Sequence, residues 1–186
     1  MKAKYFLFTI MVLTGYTAFA QSTLPSADSV LKQAYTQAAK ENKKVILIFH
    51  ASWCGWCRKM EASLNDPSCK KMFDDNYVTT YLDVLENPGK ENLENPGGID
   101  ILKKYNADKA GLPFWLILDA HGTTLATSEM KPDTAKVAKP EDSVGCPAED
   151  NEVTYFAKVL KATSNLSDND LAIIQKRFLL NKPVKK

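Results

Sequence analysis

The chain has 186 residues, with 24 Lys and Arg against 22 Asp and Glu, 45% hydrophobic residues and four cysteines. One domain is expected at that length, and the apolar fraction excludes a disordered or collagen-like chain. Four cysteines are too few for a disulfide-stapled miniprotein, and a core of this size needs no staples, so each cysteine calls for its own explanation.

Lys2 and Lys4 precede an uncharged run over residues 5–19 that ends in Ala18-Phe19-Ala20. A charged start, an apolar middle and a small-x-small site predict a signal peptide over residues 1–20, cleaved after Ala20 so that the mature chain begins at Gln21. The run is shorter than the roughly 20 apolar residues that span a bilayer, and Thr9, Thr14, Gly15 and Thr17 interrupt it; both points weigh against the competing reading, an uncleaved anchor. No Cys follows the run before Cys54, which removes a lipoprotein anchor, and no Arg-Arg pair supports the twin-arginine route. Removing Lys2 and Lys4 leaves equal numbers of acidic and basic side chains. A neutral mature chain gives no support for nucleic-acid binding or for docking on an anionic membrane. Export also places the cysteines in an oxidising compartment.

After a lead-in at Leu24-Pro25-Ser26, residues 28–42 carry Val30, Leu31, Ala34, Tyr35, Ala38 and Ala39 at helical spacing and predict an amphipathic helix. Residues 45–49, Val-Ile-Leu-Ile-Phe, predict a strand covered on both faces and hence central in its sheet. A helix is expected over 54–64, a short one from Asp66-Pro67 through Phe73, and a second strand over 77–84. Pro88, Gly89, Pro96, Gly97 and Gly98 mark residues 86–98 as a loop before a short helix over 99–105. Residues 114–118 and 123–127 flank Asp119-Ala120-His121-Gly122 and predict a hairpin. A polar excursion over 129–150, pinned by Val144-Gly145-Cys146-Pro147, leads to helices over 152–163 and 167–180, the second capped by Ser167 and Asp170. This order predicts an α/β fold in a single domain over 21–186, with a core at about 28–128, the loop 129–150 and C-terminal helices within 151–180. Its sheet is mixed, with parallel strands, an antiparallel hairpin edge and helices on both faces.

Chemistry concentrates in Trp53-Cys54-Gly55-Trp56-Cys57-Arg58-Lys59, which follows the apolar strand and opens a helix. Two thiols three positions apart at a helix start are close enough to bond, and the first lies where unpaired N–H groups and the helix dipole stabilise an anion. A thiolate there has a depressed pKa, so Cys54 is the candidate nucleophile and Cys57, one turn in, the resolving thiol. Exposed Trp53 and Trp56 would form an apolar platform for a partner's chain, whereas Trp115 belongs to a buried strand.

With its apolar strand, Trp-Cys-x-x-Cys, the Lys59-Met60-Glu61 helix and Gly111-Leu112-Pro113 before Phe114, the sequence resembles the thioredoxin superfamily from about residue 45 to 127. Within it, the chain is similar to the secreted bacterial thioredoxin-like proteins. Gly145-Cys146-Pro147-Ala148 and the helices after it also look like an extension found in such proteins. The resemblance implies a thioredoxin fold with a C-terminal helical extension. It further implies a thiol-disulfide oxidoreductase of the periplasm or cell envelope that acts as a monomer on protein thiols and disulfides. No cofactor beyond the Cys54 to Cys57 disulfide is implied, and a membrane electron donor would re-reduce the pair if the protein is a reductase. Leu112-Pro113 is implied to be cis and to face Cys54, forming a substrate-binding surface with Trp53, Gly55 and Trp56. The competing reading is a trans proline that merely starts an edge strand.

Two departures from thioredoxin matter. Where it has a buried Asp six residues before the first Cys, this chain has Ile48, and Trp56 stands between the cysteines where thioredoxin has Pro. Proton transfer for the resolving step then falls to Glu61, four residues after Cys57, or to His50, four before Cys54; alternatively Glu61 is simply solvated and His50 is a satisfied core histidine. A metal site would need two further ligands, and Cys69, Cys146, His50 and His121 form no second paired motif. Arg58 occupies the position where covalent haem attachment needs His. His121 belongs to turn chemistry, and Asn165-Leu166-Ser167 serves better as a helix start than as a glycosylation site. Cys69 and Cys146 are expected to remain unbridged, and the tail Lys182 to Lys186 to be solvated. The reading from a different class is a noncatalytic thioredoxin-fold binding module or chaperone. The direction of electron flow depends on a potential the sequence does not state.

Overall fold

The computed structural model describes residues 24–130 and 142–183, so the expected signal peptide, its cleavage site and residues 131–141 of the excursion lie outside the described residues. Among the described residues four strands, β1 to β4 in chain order, form one sheet arranged β2-β1-β3-β4. The central β1 (Lys44–His50) runs parallel to β2 (Tyr77–Asp83) and antiparallel to β3 (Phe114–Leu118), which pairs antiparallel with β4 (Thr124–Thr127). Strand alternation divides the apolar run of β1 between two cores. Val45, Leu47 and Phe49 join Phe114, Leu116 and Leu118 beneath α1 (Ala27–Glu41) and α4 (Gly98–Lys104). Ile46 and Ile48 join Trp115 and Ile117 on the opposite face, covered by α2 (Gly55–Leu64), α3 (Lys70–Asn76), α5 (Asp150–Thr163) and α6 (Asp168–Leu179). This is the thioredoxin fold with two helices added at the C-terminus, as expected.

The added helices are part of the second core. Phe156 of α5 lies 5.3 Å from Trp115 and 5.0 Å from Phe178 of α6, ring centre to ring centre. Ser167 and Asp170 form the predicted capping box at the start of α6, and Glu149 with Glu152 forms another at α5. The end of the excursion is pinned as expected: Val144 N–H donates to the Ser128 carbonyl, and Trp115 Nε1–H to the Gly145 carbonyl at 2.8 Å.

Three local features depart from expectation. The helix predicted from Asp66 starts at Lys70, because the Asp66 carboxylate accepts from Ser68 N–H and Oγ–H and folds residues 66–69 into a turn. The loop 86–98 contains a 3₁₀ turn at Glu91–Leu93. Gly98, predicted as the last loop residue, is the first of α4; a Cβ there would come within 2.8 Å of Val84, so only glycine lets this helix approach the strand end. Lys182 of the tail is paired with Glu149 and Asp150. Among the described residues no helix is long and apolar enough to cross a membrane.

Candidate active site

Cys54 is the N-cap of α2, with extended backbone (φ −75°, ψ 103°), and its Sγ accepts the Cys57 N–H at 3.0 Å. The two cysteines form a disulfide, with S–S 1.98 Å and Cα atoms 5.3 Å apart. Each is only 2% exposed, so burial does not distinguish them in the oxidised state. Position does: the Cys57 N–H, an amide of the first helical turn with no carbonyl partner in the helix, points at Cys54 Sγ and would stabilise a thiolate there once the bond is reduced.

Ala51 and the two cysteines form a small cluster onto which Leu112 packs, and the Leu112-Pro113 bond is cis. Trp53 and Trp56 are 48% and 40% exposed beside the pair, while Trp115 is fully buried. A groove of about 290 Å³ runs from Trp56 past Leu112 and Pro113 to Gly145, Cys146 and Glu149. The fold thus brings Trp56, Leu112 and Pro113 together with the end of the excursion, a juxtaposition with no local sequence signal.

His50 points toward the α2 side of the sheet, like Ile46 and Ile48 before it. Its Nδ1 lies 2.8 Å from Asp83 Oδ1 across the β1–β2 pair, and its ring meets Tyr81 edge-on at 6.4 Å. Glu61 is exposed and lines a separate hollow with Tyr77 and Tyr81. Burial pushes the Tyr81 phenol up to about 12, and the Glu61 carboxylate adds to the rise. Among the described residues neither the His50 ring nor the Glu61 carboxylate is hydrogen-bonded to a cysteine sulfur.

Sequence reasoning missed several residues at the site. Glu86 accepts from both the N–H and the hydroxyl of Ser52, the Leu85 carbonyl accepts Trp53 Nε1–H at 2.8 Å, and Arg58 donates to the Ser52 carbonyl. Lys59 Nζ sits 4.1 Å above the Trp56 ring and donates to the Asn181 carbonyl at 3.0 Å. Buried Asn181 in turn donates to Ser63 Oγ and Cys146 Sγ, tying the C-terminus to α2. Leu85 and Glu86 reach their partners across 32 and 34 residues and Asn181 reaches Lys59 across 122, so no spacing rule could have found them.

Cys69 and Cys146 are free, buried thiols, as expected. Cys69 Sγ–H donates to the Ser63 carbonyl. Burial raises both thiols, that of Cys146 to about 12. Among the described residues no group of three or more His, Cys, Asp or Glu is placed to hold a metal ion.

The sequence matches the family described as Thioredoxin-like over residues 27–120. Among solved structures, the disulphide isomerase from Xylella fastidiosa Temecula1 is similar at 19% identity and a TM-score of 0.50, covering 81% of this chain and 98% of that one. DsbH Oxidoreductase follows at 21% identity and a TM-score of 0.43, covering 70% and 78%. The C-terminal domain of Neisseria meningitidis DsbD in its oxidised form has 25% identity and a TM-score of 0.40, covering 55% and 83%. No curated protein matches the sequence. The likeness to the Xylella protein supports the fold alone, and the family match adds its kind of site: the chain belongs to the Thioredoxin-like family and carries, in Cys54 and Cys57, the redox pair of a thiol-disulfide oxidoreductase.

Proposed function

We propose that the mature chain is a thiol-disulfide oxidoreductase of the bacterial envelope that exchanges disulfides with protein substrates through Cys54 and Cys57. The observation that carries this reading is Cys54 at the N-cap of α2, its Sγ accepting a helix N–H, beside two exposed tryptophans. A buried structural disulfide needs neither.

In the reducing direction, Cys54 thiolate attacks one sulfur of a substrate disulfide. The substrate S–S bond breaks, its leaving thiolate takes a proton from solvent, and a mixed disulfide forms. Cys57 then loses its proton, attacks Cys54 Sγ and releases the second substrate thiolate. Two electrons pass from the pair to the substrate, and the Cys54–Cys57 bond forms. The oxidising direction is the same sequence reversed. Trp53, Gly55, Trp56, Leu112 and Pro113 make the surface that receives the substrate chain.

Cys57 needs a proton acceptor, and Ile48 cannot serve. His50 fits best: it lies on the same sheet face as Ile48, two residues nearer the motif, and Asp83 holds its Nδ1 at 2.8 Å, leaving Nε2 to exchange protons. Glu61 stands second, because its carboxylate is turned toward solvent and Tyr81. The redox-active disulfide is the whole prosthetic equipment of this reading, with a monomer as the working unit and a membrane electron donor restoring the dithiol if the protein works as a reductase. Residues 1–20 supply the export signal, so intact mass of envelope material should give a chain starting at Gln21.

An insulin-reduction assay tests the activity. The protein should accelerate insulin precipitation in dithiothreitol, and Cys54→Ser should abolish the acceleration. A rate equal to the uncatalysed reaction would instead favour the noncatalytic binding module.

A further inference from the structure

We propose that Glu86 is a positioning residue for the redox loop: from the exit of β2 its carboxylate latches Ser52 and sets part of the charge that Cys54 feels. The proposal rests on the oxidoreductase reading above. Ser52, two residues before Cys54, is held at every backbone and side-chain polar group. Its N–H and Oγ–H donate to Glu86 Oε1 and Oε2 at 2.5 and 2.7 Å, and its carbonyl accepts from Arg58 at 3.0 Å. Next to it, Trp53 is anchored through Nε1 to the Leu85 carbonyl at 2.8 Å.

The partner strand is shaped for this grip. Leu85 has φ 55°, a left-handed conformation that a non-glycine residue keeps only where its surroundings impose it. That turn follows the Val84 N–H bond to the His50 carbonyl at 2.8 Å, and the Glu86 N–H is then fixed by Glu94 Oε1 at 2.8 Å. A second carboxylate therefore orients the first.

Partial burial would raise the Glu86 carboxyl, but hydrogen bonds from the Ser52 N–H and hydroxyl outweigh it and hold the group below the ordinary Glu range. Glu86 is thus ionised at neutral pH. A fixed negative charge here opposes the stabilisation that the helix N-terminus gives a Cys54 thiolate, and so makes the pair more reducing. The other charges around the loop are Arg58 and Lys59 of α2, Lys90 and Glu94 near Glu86, and the His50–Asp83 pair at the strand ends.

The test compares wild type with Glu86→Gln, which keeps the shape and one acceptor oxygen but removes the charge, and with Glu86→Asp, which keeps the charge. The pH dependence of iodoacetamide alkylation of the reduced protein reports the Cys54 pKa, and equilibration with glutathione reports the potential. Glu86→Gln should increase the thiolate fraction below the pKa about threefold and make the pair correspondingly more oxidising, whereas Glu86→Asp stays near wild type. A purely structural role would shift the urea midpoint of both variants and leave the pKa in place. Should Glu86→Gln not fold, the wild-type profile carries the test: protonating Glu86 must add an inflection in alkylation rate below the ordinary Glu range. Equal alkylation pKa and glutathione equilibrium in wild type and Glu86→Gln, or a wild-type profile without that inflection, would overturn the proposal. A wild-type dithiol that does not exchange with glutathione at all would overturn the oxidoreductase reading along with it, and is distinguished by appearing before any variant is made.

Discussion

Replacing Phe156 with Ala should destabilise the entire protein, although Phe156 lies beyond the residues that match the family. Its ring is 1% exposed, meets Trp115 edge-on at 5.3 Å and Phe178 at 5.0 Å, and stacks near Phe73 at 6.4 Å. Truncation therefore opens a void bounded by the sheet, α3 and α6 together. Losing the transfer free energy of the ring and leaving that cavity costs about 3–5 kcal/mol. For a chain of this size that corresponds to a fall of about 6–20 °C in Tm. Urea unfolding followed by tryptophan fluorescence checks it, because Trp115 reports directly on the contact. A single shifted transition, coincident by fluorescence and circular dichroism, is expected. A loss below about 1 kcal/mol, or a separate early transition of α5 and α6 that leaves Trp115 unaffected, would refute the claim that the added helices complete the core on which α2 rests.

Two further outcomes follow from the titrating groups. Hydrogen bonds from the Ser68 hydroxyl and N–H, and then from Arg177 Nε at 2.6 Å, hold the Asp66 carboxyl at about 2 against an ordinary 3.8. A depressed carboxylate stabilises the fold above its unfolded pKa, so this contribution should be complete above about pH 4 and fade as pH falls from 3.8 through 2; Asp66→Asn should flatten that limb of an acid-unfolding curve. Cys69 and Cys146, buried and with raised pKa, should resist iodoacetamide at pH 8 in the folded, reduced protein while Cys54 reacts, and should label only in denaturant. Mass mapping of labelled peptides distinguishes the four thiols.

What the sequence could reveal divides along a physical line. The run at 45–49 had to be a two-sided strand because no alternation relieved it, and it became β1 with a core on each face. Cys54 as a helix opener, the cis Leu112-Pro113 bond and the Ser167–Asp170 cap were all visible, the first and last in local chemistry and the second through family resemblance. The start of α3 was not, because Asp66-Pro67 carries the same residues whether it opens a helix or an Asp-capped turn. Glu86, Asp83 and Asn181 were hidden for another reason. Their partners Ser52, His50 and Ser63 are brought to them by parallel strand pairing and by the closing helices, and sequence separations of 34, 33 and 118 residues leave no periodicity to detect. Burial does not separate Cys54 from Cys57, since Leu112 packs against the cluster that holds both cysteines.

The claim that Cys54 attacks and Cys57 resolves is tested most directly by trapping. With Cys57→Ser, attack proceeds but release is blocked, so mixed disulfides through Cys54 should accumulate in cells and appear as reducible adducts on nonreducing gels. Cys54→Ser should accumulate none, because the remaining thiol lies one turn inside α2 and away from the helix end that lowers a thiolate's pKa. Mass spectrometry of adducts from Cys57→Ser alone would then identify the substrates. Adducts recovered equally from both variants, or from neither across a range of redox conditions, would contradict the account.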